Sequence, residues 1–323
     1  MKNIAVVYGG YSSEREISIQ SGKYIASIID KDLFNVFEID IAKDNWRELT
    51  HNQSVDKNDF SIKINGKKIK FDAVVIVIHG NPGENGVLQS YFDLLNIPYT
   101  SCNAFCAALT FNKFYVNNFL RNFDLNIAKS TIIRKSDDYI MILKDFIDVV
   151  GFPVFVKPSA GGSSFGTTKV KKFDDFSNAI TAALREGDEV IVEEFINGRE
   201  LTCGVVKINN EIRTLTPVEV VSKNEFFDYE AKYNSALNEE IIPAPVSKKI
   251  IEDIKLLSGK IYELLNCKGI VRIDYILQND TLYFLELNSV PGMTSESIVP
   301  KMIRYDKIDI TELFTKLINQ TLN

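Results

Sequence analysis

Apolar and polar positions follow two different rhythms along the 323 residues. In the first hundred, short apolar runs end in glycine-rich turns and lead into helical stretches. Residues 4–8 form one such run, closed by Gly9-Gly10 and followed by Ser12-Ser13-Glu14-Arg15-Glu16. Ser13 with Glu16 three residues later fits a capping box, so a helix is predicted to begin there. Residues 71–78 read as a strand buried on both faces, as parallel strands are. They run into a turn-rich loop, 79–86, and a helix through Leu95. Strand–loop–helix order predicts a parallel, doubly wound sheet with functional loops at the strand C-termini. Residues 43–70 are polar and show no clear pattern.

From about Cys102 the rhythm changes. A helical segment at 105–121 precedes a strand at 154–158, a Gly/Ser loop at 159–166 and a strand at 167–172. A helix at 174–185 and a strand at 189–195 follow. The last third alternates strands (201–207, 212–221, 270–277, 281–287) with one long amphipathic helix at 247–265. This predicts a more antiparallel α+β organisation, without internal repeats or low-complexity segments. Length alone argues for two or three domains.

Composition narrows the function classes. A net charge of −6 argues against nucleic acid as the main partner. No apolar run reaches the roughly 18 residues of a membrane span. The first residues read as a strand rather than a signal peptide, which makes the cytoplasm the expected compartment. Cys102, Cys106, Cys203 and Cys267 show no CxxC pair and no zinc-like spacing, so they are expected to be reduced packing residues. With only His51 and His79 available, a His-rich metal site is excluded, and chemistry must rest on carboxylates, lysines, arginines and hydroxyls.

Four segments could carry such chemistry. Residues 161–166, Gly-Gly-Ser-Ser-Phe-Gly, lie between two strands and could wrap a phosphate with backbone N–H groups and hydroxyls, or could be a simple turn. They are not a Walker A loop. Lys157 closes the preceding strand and Lys113 sits in the helical segment. Each could reach the same anion or be a solvated surface charge.

Arg272-Ile273-Asp274 and Glu286-Leu287-Asn288 occupy period-2 strands that should form a hairpin. Their charged residues share one face only if the connection has an odd number of residues, such as 278–280. A two-residue Asn279-Asp280 turn would separate them. If they converge, Asp274, Glu286 and Asn288 form an all-oxygen site suited to Mg²⁺. The other reading is a solvent-facing, salt-bridged hairpin. The turn at 289–297 offers the Gly292 N–H as an oxyanion donor and helix-start N–H groups to a carboxylate, or is an ordinary capped connection. The aromatic, charged stretch 226–233 reads as a loop that closes over a site or packs on its own aromatics.

In this order, the segments resemble the D-alanine–D-alanine ligases of the ATP-grasp superfamily. The matching motifs are Tyr8-Gly9-Gly10 with Ser13 to Ser18, His79-Gly80 with Gly83-Glu84-Asn85-Gly86, Ile97-Pro98-Tyr99-Thr100, Lys157-Pro158 with Gly162-Ser163-Ser164, and 226–233. Arg272-Ile273-Asp274, Glu286-Leu287-Asn288 and Pro291-Gly292-Met293-Thr294 with Ser297 complete the set.

The resemblance implies an ATP-grasp fold preceded by an N-terminal doubly wound parallel-sheet domain, α/β and α+β in class. The expected parts are 1–103, a substrate-binding domain; 104–192, carrying the phosphate loop; and 193–323, carrying the metal hairpin and closing loop. It implies that ATP and D-alanine are the small-molecule substrates, with two Mg²⁺ ions (Mn²⁺ as a substitute) on Asp274, Glu286 and Asn288. Lys113, Lys157 and Ser164 would hold the phosphates. Glu193, Glu194 and the backbone at Ile196 would take the adenine, and Glu200 the ribose.

Glu14 and His79 would bind the first D-alanine, and Arg272 and Gly292 the oxyanion. Ser297, Ile298 and Lys232 would take the second substrate, with Lys232 also among the nucleotide contacts. Tyr233, Ser163 and Glu14 would tie the closing loop down. Ala160-Gly161 and Phe227 depart from the usual family residues without removing a role. Peptidoglycan precursor synthesis in the cytoplasm is the implied setting, with a homodimer plausible and no nucleic acid or membrane. A D-alanine–D-lactate ligase, another ATP-grasp carboxylate–amine ligase and a non-catalytic nucleotide-binding regulator are the competing readings.

Overall fold

The computed structural model describes residues 1–162, 165–222 and 238–323. Three sheets organise the chain. In the N-terminal one, β1 (Lys2–Gly9) runs parallel to β2 (Phe34–Ile41) on one side and β7 (Ala73–Ile76) on the other. β3 (Trp46–Glu48) and β4 (Gln53–Ser54) extend it antiparallel, giving the order β4-β3-β2-β1-β7. The patternless stretch thus supplies an edge, together with the small hairpin of β5 (Ser61–Ile64) and β6 (Lys67–Lys70).

Strand alternation sends Ile4, Val6 and Tyr8 to one face of this sheet and Ala5 and Val7 to the other, and both faces are covered. Helix α1 (Arg15–Ile28) packs on the first face through Ile25 and Ala26, and α2 (Val87–Leu94) on the second through Leu88 and Phe92. This is the doubly wound arrangement. Helix α1 begins where expected, but the capping box does not form. Glu14 is the N-cap and makes no side-chain cap bond. Ser12 Oγ instead accepts the Glu14 N–H (3.3 Å) and donates to the His79 carbonyl (2.9 Å), which draws the chain toward the loop after β7.

The predicted helix at 105–121 is two helices, α3 (Ala104–Phe111) and α4 (Lys113–Arg121). Asn112 between them is extended (φ −98°, ψ 105°), and its side chain caps α4 by accepting the Tyr115 N–H. A four-stranded antiparallel sheet follows, ordered β11-β10-β12-β9, from β9 (Ser130–Arg134), β10 (Val154–Pro158), β11 (Thr168–Val170) and β12 (Glu189–Glu194). Helices α5 (Tyr139–Val150) and α6 (Phe176–Ala183) cover it through Leu143, Phe176, Ala179 and Ile180.

The third sheet contains β13 (Arg199–Ile208), β14 (Glu211–Thr214), β15 (Val218–Ser222), β16 (Asn238–Ile241), β17 (Ile270–Gln278) and β18 (Thr281–Asn288). The expected strand 212–221 is therefore two, broken before Pro217. The short β8 (Asn126–Ile127) closes the edge of this sheet parallel to β18. Helix α7 (Lys248–Leu264) covers one face through Ile250, Ile254 and Ile261. Helices α8 (Ile298–Tyr305) and α9 (Ile310–Leu322) fold back onto the N-terminal sheet through Met302, Leu313 and Phe314. Among the described residues no helix is long and apolar enough to cross a membrane.

Candidate active site

The β17–β18 hairpin turns through two residues, Asn279 (φ 47°) and Asp280 (φ 63°), with Gln278 paired to Thr281. Two consecutive positive φ values match the tight hairpin turn that asparagine and aspartate favour. The expected three-residue connection is thus absent. By parity alone this turn would put Asp274 and Glu286 on opposite faces. A bulge restores them: Tyr275 pairs with Phe284, Leu285 has no partner, and Asp274 pairs with Glu286. Arg272 then faces Asn288, so all four polar groups share one face.

Asp274 is the hub of that face. Arg272 Nε and one terminal nitrogen donate to its two oxygens at 2.8 and 2.7 Å. Asn288 Nδ2 donates to it at 3.0 Å and Thr202 Oγ1, from β13, at 2.5 Å. Burial opposes the Arg272 charge, but Asp274, Glu286 and Glu200 hold its pKa above the usual arginine value. A fork of this kind fixes the guanidinium plane as a lysine could not.

Two lysines approach, one from helix α4 and one from the second sheet. Lys113, first residue of α4, has its N–H on the Ser159 carbonyl (2.7 Å). Its ammonium donates to the Gly161 carbonyl (2.6 Å) and stands 3.4 Å from Glu286. The break at Asn112 aims it there, since Ser159 Oγ also donates to the Asn112 side chain. Lys157 on β10 pairs with Glu193 on the neighbouring β12 at 2.5 Å, and Asn117 Nδ2 holds the second Glu193 oxygen at 2.9 Å. Both partners of the pair are largely buried. Lys113, Lys157, Glu193, Glu194, Ile196, Glu200 and Glu286 line one cavity of about 410 Å³ between the second and third sheets. Phe155, Phe195 and Leu285 add apolar walls to it. A cleft of this size, apolar with a few converging charges, is how small-molecule sites are built.

The turn after β18 meets the N-terminal loops. His79 is 5% exposed; its Nδ1–H donates to the Val290 carbonyl (2.9 Å), which can only accept. Ser21 Oγ lies 3.2 Å from His79 Nε2 and accepts the Met293 N–H at 3.2 Å. With the ring neutral and its proton on Nδ1, Nε2 accepts from the serine hydroxyl. Burial holds this imidazole below its ordinary value, outweighing the nearby Glu14 carboxylate, which raises it.

Glu84 makes a second link, accepting the Gly80 N–H (2.7 Å) and the Val290 N–H (3.2 Å). Burial and Glu14 push it up to about 8 against those two donors. Glu14 itself lies against both glycine loops: a Cβ at Gly162 would stand 2.7 Å from its Oε2, and one at Gly80 3.3 Å. Ser297, N-cap of α8, turns its hydroxyl back to accept the Thr294 N–H (3.0 Å), and a Cβ at Gly292 would reach it at 3.1 Å. Ile298 opens the helix.

Residues 3–102 match the family model described as D-ala D-ala ligase N-terminus, and residues 119–319 the one described as D-ala D-ala ligase C-terminus. The chain belongs to the D-alanine–D-alanine ligase family. A ligase relative, the D-alanine--D-alanine ligase of Azobacteroides pseudotrichonymphae genomovar. CFP2, is 45% identical over 322 residues, covering 98% of this chain and 99% of that protein. Among solved structures, D-alanyl-alanine synthetase A of Vibrio cholerae superposes with a TM-score of 0.90 at 29% identity, over 99% of this chain and 98% of that one. The VanG D-Ala:D-Ser ligase of Enterococcus faecalis superposes with a TM-score of 0.88 at 30% identity, over 98% of each. The architecture is thus that of these ligases, an ATP-grasp fold behind a doubly wound N-terminal sheet.

The expected site residues of the ligase family fall into two described groups, one around the cavity and the Asp274 hub, the other at Glu14, His79, Gly292, Ser297 and Ile298. Ser163, Ser164, Lys232 and Tyr233, with the rest of 223–237, lie outside the described residues. Ser21, Glu84, Asn117 and Thr202 had no role in the sequence reading. Asn117 lies one helical turn beyond Lys113, a signal that both face the same side. Glu84 stands within the Gly83–Gly86 motif, while Ser21 and Thr202 carry no local signal.

The hairpin's donor set fits a hard divalent cation, since two carboxylates and one amide oxygen share a face without nitrogen or sulfur ligands. Each Asp274 oxygen already accepts two hydrogen bonds. Turning the Asn288 amide over, so that its oxygen takes the place of Nδ2, would free one of these positions.

Proposed function

We propose that this chain joins two D-alanine molecules at the expense of ATP, forming D-alanyl-D-alanine, ADP and phosphate. The observation that carries this reading is the convergence of Lys113 on Glu286, beside Asp274, Asn288 and Arg272, at the edge of a nucleotide-sized cavity. Phosphoryl transfer needs positioning and charge neutralisation above all, and these groups supply both.

In this reading Lys113 and Lys157 hold the phosphates, with Ser164 in the same loop. Glu193, Glu194 and the backbone at Ile196 hold the adenine, and Glu200 the ribose. Asp274, Glu286 and Asn288 hold Mg²⁺, which when bound neutralises phosphate charge. Glu14 takes the ammonium of the first D-alanine, with neutral His79 alongside. A carboxylate oxygen of that D-alanine attacks the γ-phosphorus, and the bond to ADP breaks. The amine of the second D-alanine attacks the resulting acyl phosphate, losing a proton as the C–N bond forms and the C–O bond to phosphate breaks. Arg272 and the Gly292 N–H stabilise the oxyanion between these steps. Ser297 and the start of α8 at Ile298 receive the second carboxylate, with Lys232; Ser163 and Tyr233 complete the closed state with Glu14.

Three parts with boundaries near 103 and 192 share these tasks. Peptidoglycan precursor synthesis in the cytoplasm is the corresponding setting, and a homodimer is compatible with it. The test is ADP release by the full chain with MgATP, with and without D-alanine, and mass analysis of the product. D-alanine-dependent ADP with dipeptide supports the reading. Turnover only with D-serine or D-lactate added as second substrate would move the assignment within the family, and no turnover with ATP bound would favour a regulatory role.

A further inference from the structure

Three of the four cysteines converge outside the lining of the cavity. Cys102 follows the last N-terminal segment, Cys106 lies in α3, and Cys267 sits in the turn between α7 and β17. All are buried, and their sulfurs lie within 4.8 Å of one another, with Cys106 and Cys267 at 3.7 Å. The turn at Cys267 is pressed against the N-terminal segment. Gly269 has φ 68°, and any Cβ there would collide with the Thr100 carbonyl. The Lys268 N–H and carbonyl lie 3.5 and 3.4 Å from Cys102 Sγ.

The Cys106–Cys267 spacing is that of two thiolates on one metal ion, and Cys102 lies close enough to supply a third. Bonds of about 2.3 Å to sulfur in a tetrahedral frame put the sulfurs roughly 3.8 Å apart. Soft thiolates select d¹⁰ ions such as zinc(II), cadmium(II) or copper(I) over the hard cation suited to the carboxylate hairpin. Cys203 lies apart, bonded to the Leu215 carbonyl and pushed up to about 12 by burial.

We propose that Cys102, Cys106 and Cys267 bind one thiophilic d¹⁰ cation, zinc(II) in the cell, clipping the exit of the N-terminal domain to the turn that starts β17. The three thiol protons leave to solvent as the ion enters. Because the sulfurs are buried, loading accompanies folding. The site is independent of the ligase reading, and its metal differs from the ions that the hairpin would hold.

The full chain is produced with zinc or cadmium supplied during growth and purified without chelator, and metal content, ultraviolet absorption and free thiols in denaturant are measured. About one ion per chain is expected, with a thiolate-to-cadmium charge-transfer band that a carboxylate site cannot give. Cys106→Ser and Cys267→Ala should each lower the metal content at least roughly tenfold, while Cys203→Ser keeps it. The wild-type band decides even if a variant fails to fold. Metal retained by both variants without the band would place it elsewhere and overturn the proposal. A metal-free wild type would also overturn it, whether all four thiols react or only two, the latter marking a Cys106–Cys267 disulfide.

Discussion

Asp274 and Glu286 face each other across the β17–β18 hairpin because Leu285 is left out of the ladder. Their surroundings differ, which predicts different effects on catalysis and on stability. Asp274 is 3% exposed and neutralises Arg272, whereas Glu286 is only partly buried and faces Lys113.

Glu286→Gln should therefore lower kcat about 10²–10³-fold with little loss of stability. Asp274→Asn should lose activity at least as severely and also destabilise the chain by about 3–5 kcal/mol, since it removes the carboxylate hydrogen-bonded to the buried Arg272 guanidinium. Steady-state kinetics and urea unfolding on the two variants check both halves. Equal destabilisation by both would contradict the distinction.

The Lys157–Glu193 pair makes a similar demand in the cavity wall. Lys157→Ala should cost about 3–5 kcal/mol and raise KM for ATP, because the buried Glu193 loses its ion-pair partner and keeps only one side-chain hydrogen bond, from Asn117, among the described residues. The double variant Lys157→Met/Glu193→Leu should recover most of that stability while remaining unable to bind nucleotide well. Urea midpoints at unchanged m, with ATP titrations, report the two effects separately.

Ser21 acts through the turn that carries Gly292. Ser21→Ala strips a partner from both the Met293 N–H and His79 Nε2, at a cost of about 1–3 kcal/mol. The nucleotide cavity lies elsewhere, so kcat should fall while KM for ATP holds. An unchanged kcat would show that the turn keeps its geometry without this link.

Glu84 sets a pH dependence of stability. Its folded pKa is raised from an ordinary 4.5 to about 8, so the folded state holds its proton longer than the unfolded chain. The stability it contributes is full below about 4.5 and is lost as the pH rises to about 8. Unfolding midpoints of the wild type should fall across that window, and Glu84→Gln should flatten the slope. A slope unchanged in the variant would assign the dependence to another group.

Much of the site was legible locally. Alternation along β17 and β18 is a property of each strand, so Arg272 and Asp274 could be paired from sequence, as could Glu286 and Asn288. The apolar strand before Lys157 and the glycine loop after it were equally plain, and the order of motifs carried the family resemblance. Where local signals competed, sequence misled. The Ser13–Glu16 box lost to the pull of Ser12 on the His79 carbonyl, and the helix through Asn112 broke because that side chain caps a second one.

The chain's sequence by itself determined the strongly apolar strands such as 4–8, 71–78 and 270–277, which residues carry charge, and which family the motifs resemble, because each is written within a few neighbouring residues. Only the tertiary structure decided the register across the hairpin, where a bulge reverses the parity of a two-residue turn. It alone joined Ser21 to Met293, Glu84 to Val290 and Cys106 to Cys267, residues separated by 272, 206 and 161 positions. Contacts of that span arise from how sheets and helices pack, and no periodicity in the chain encodes them.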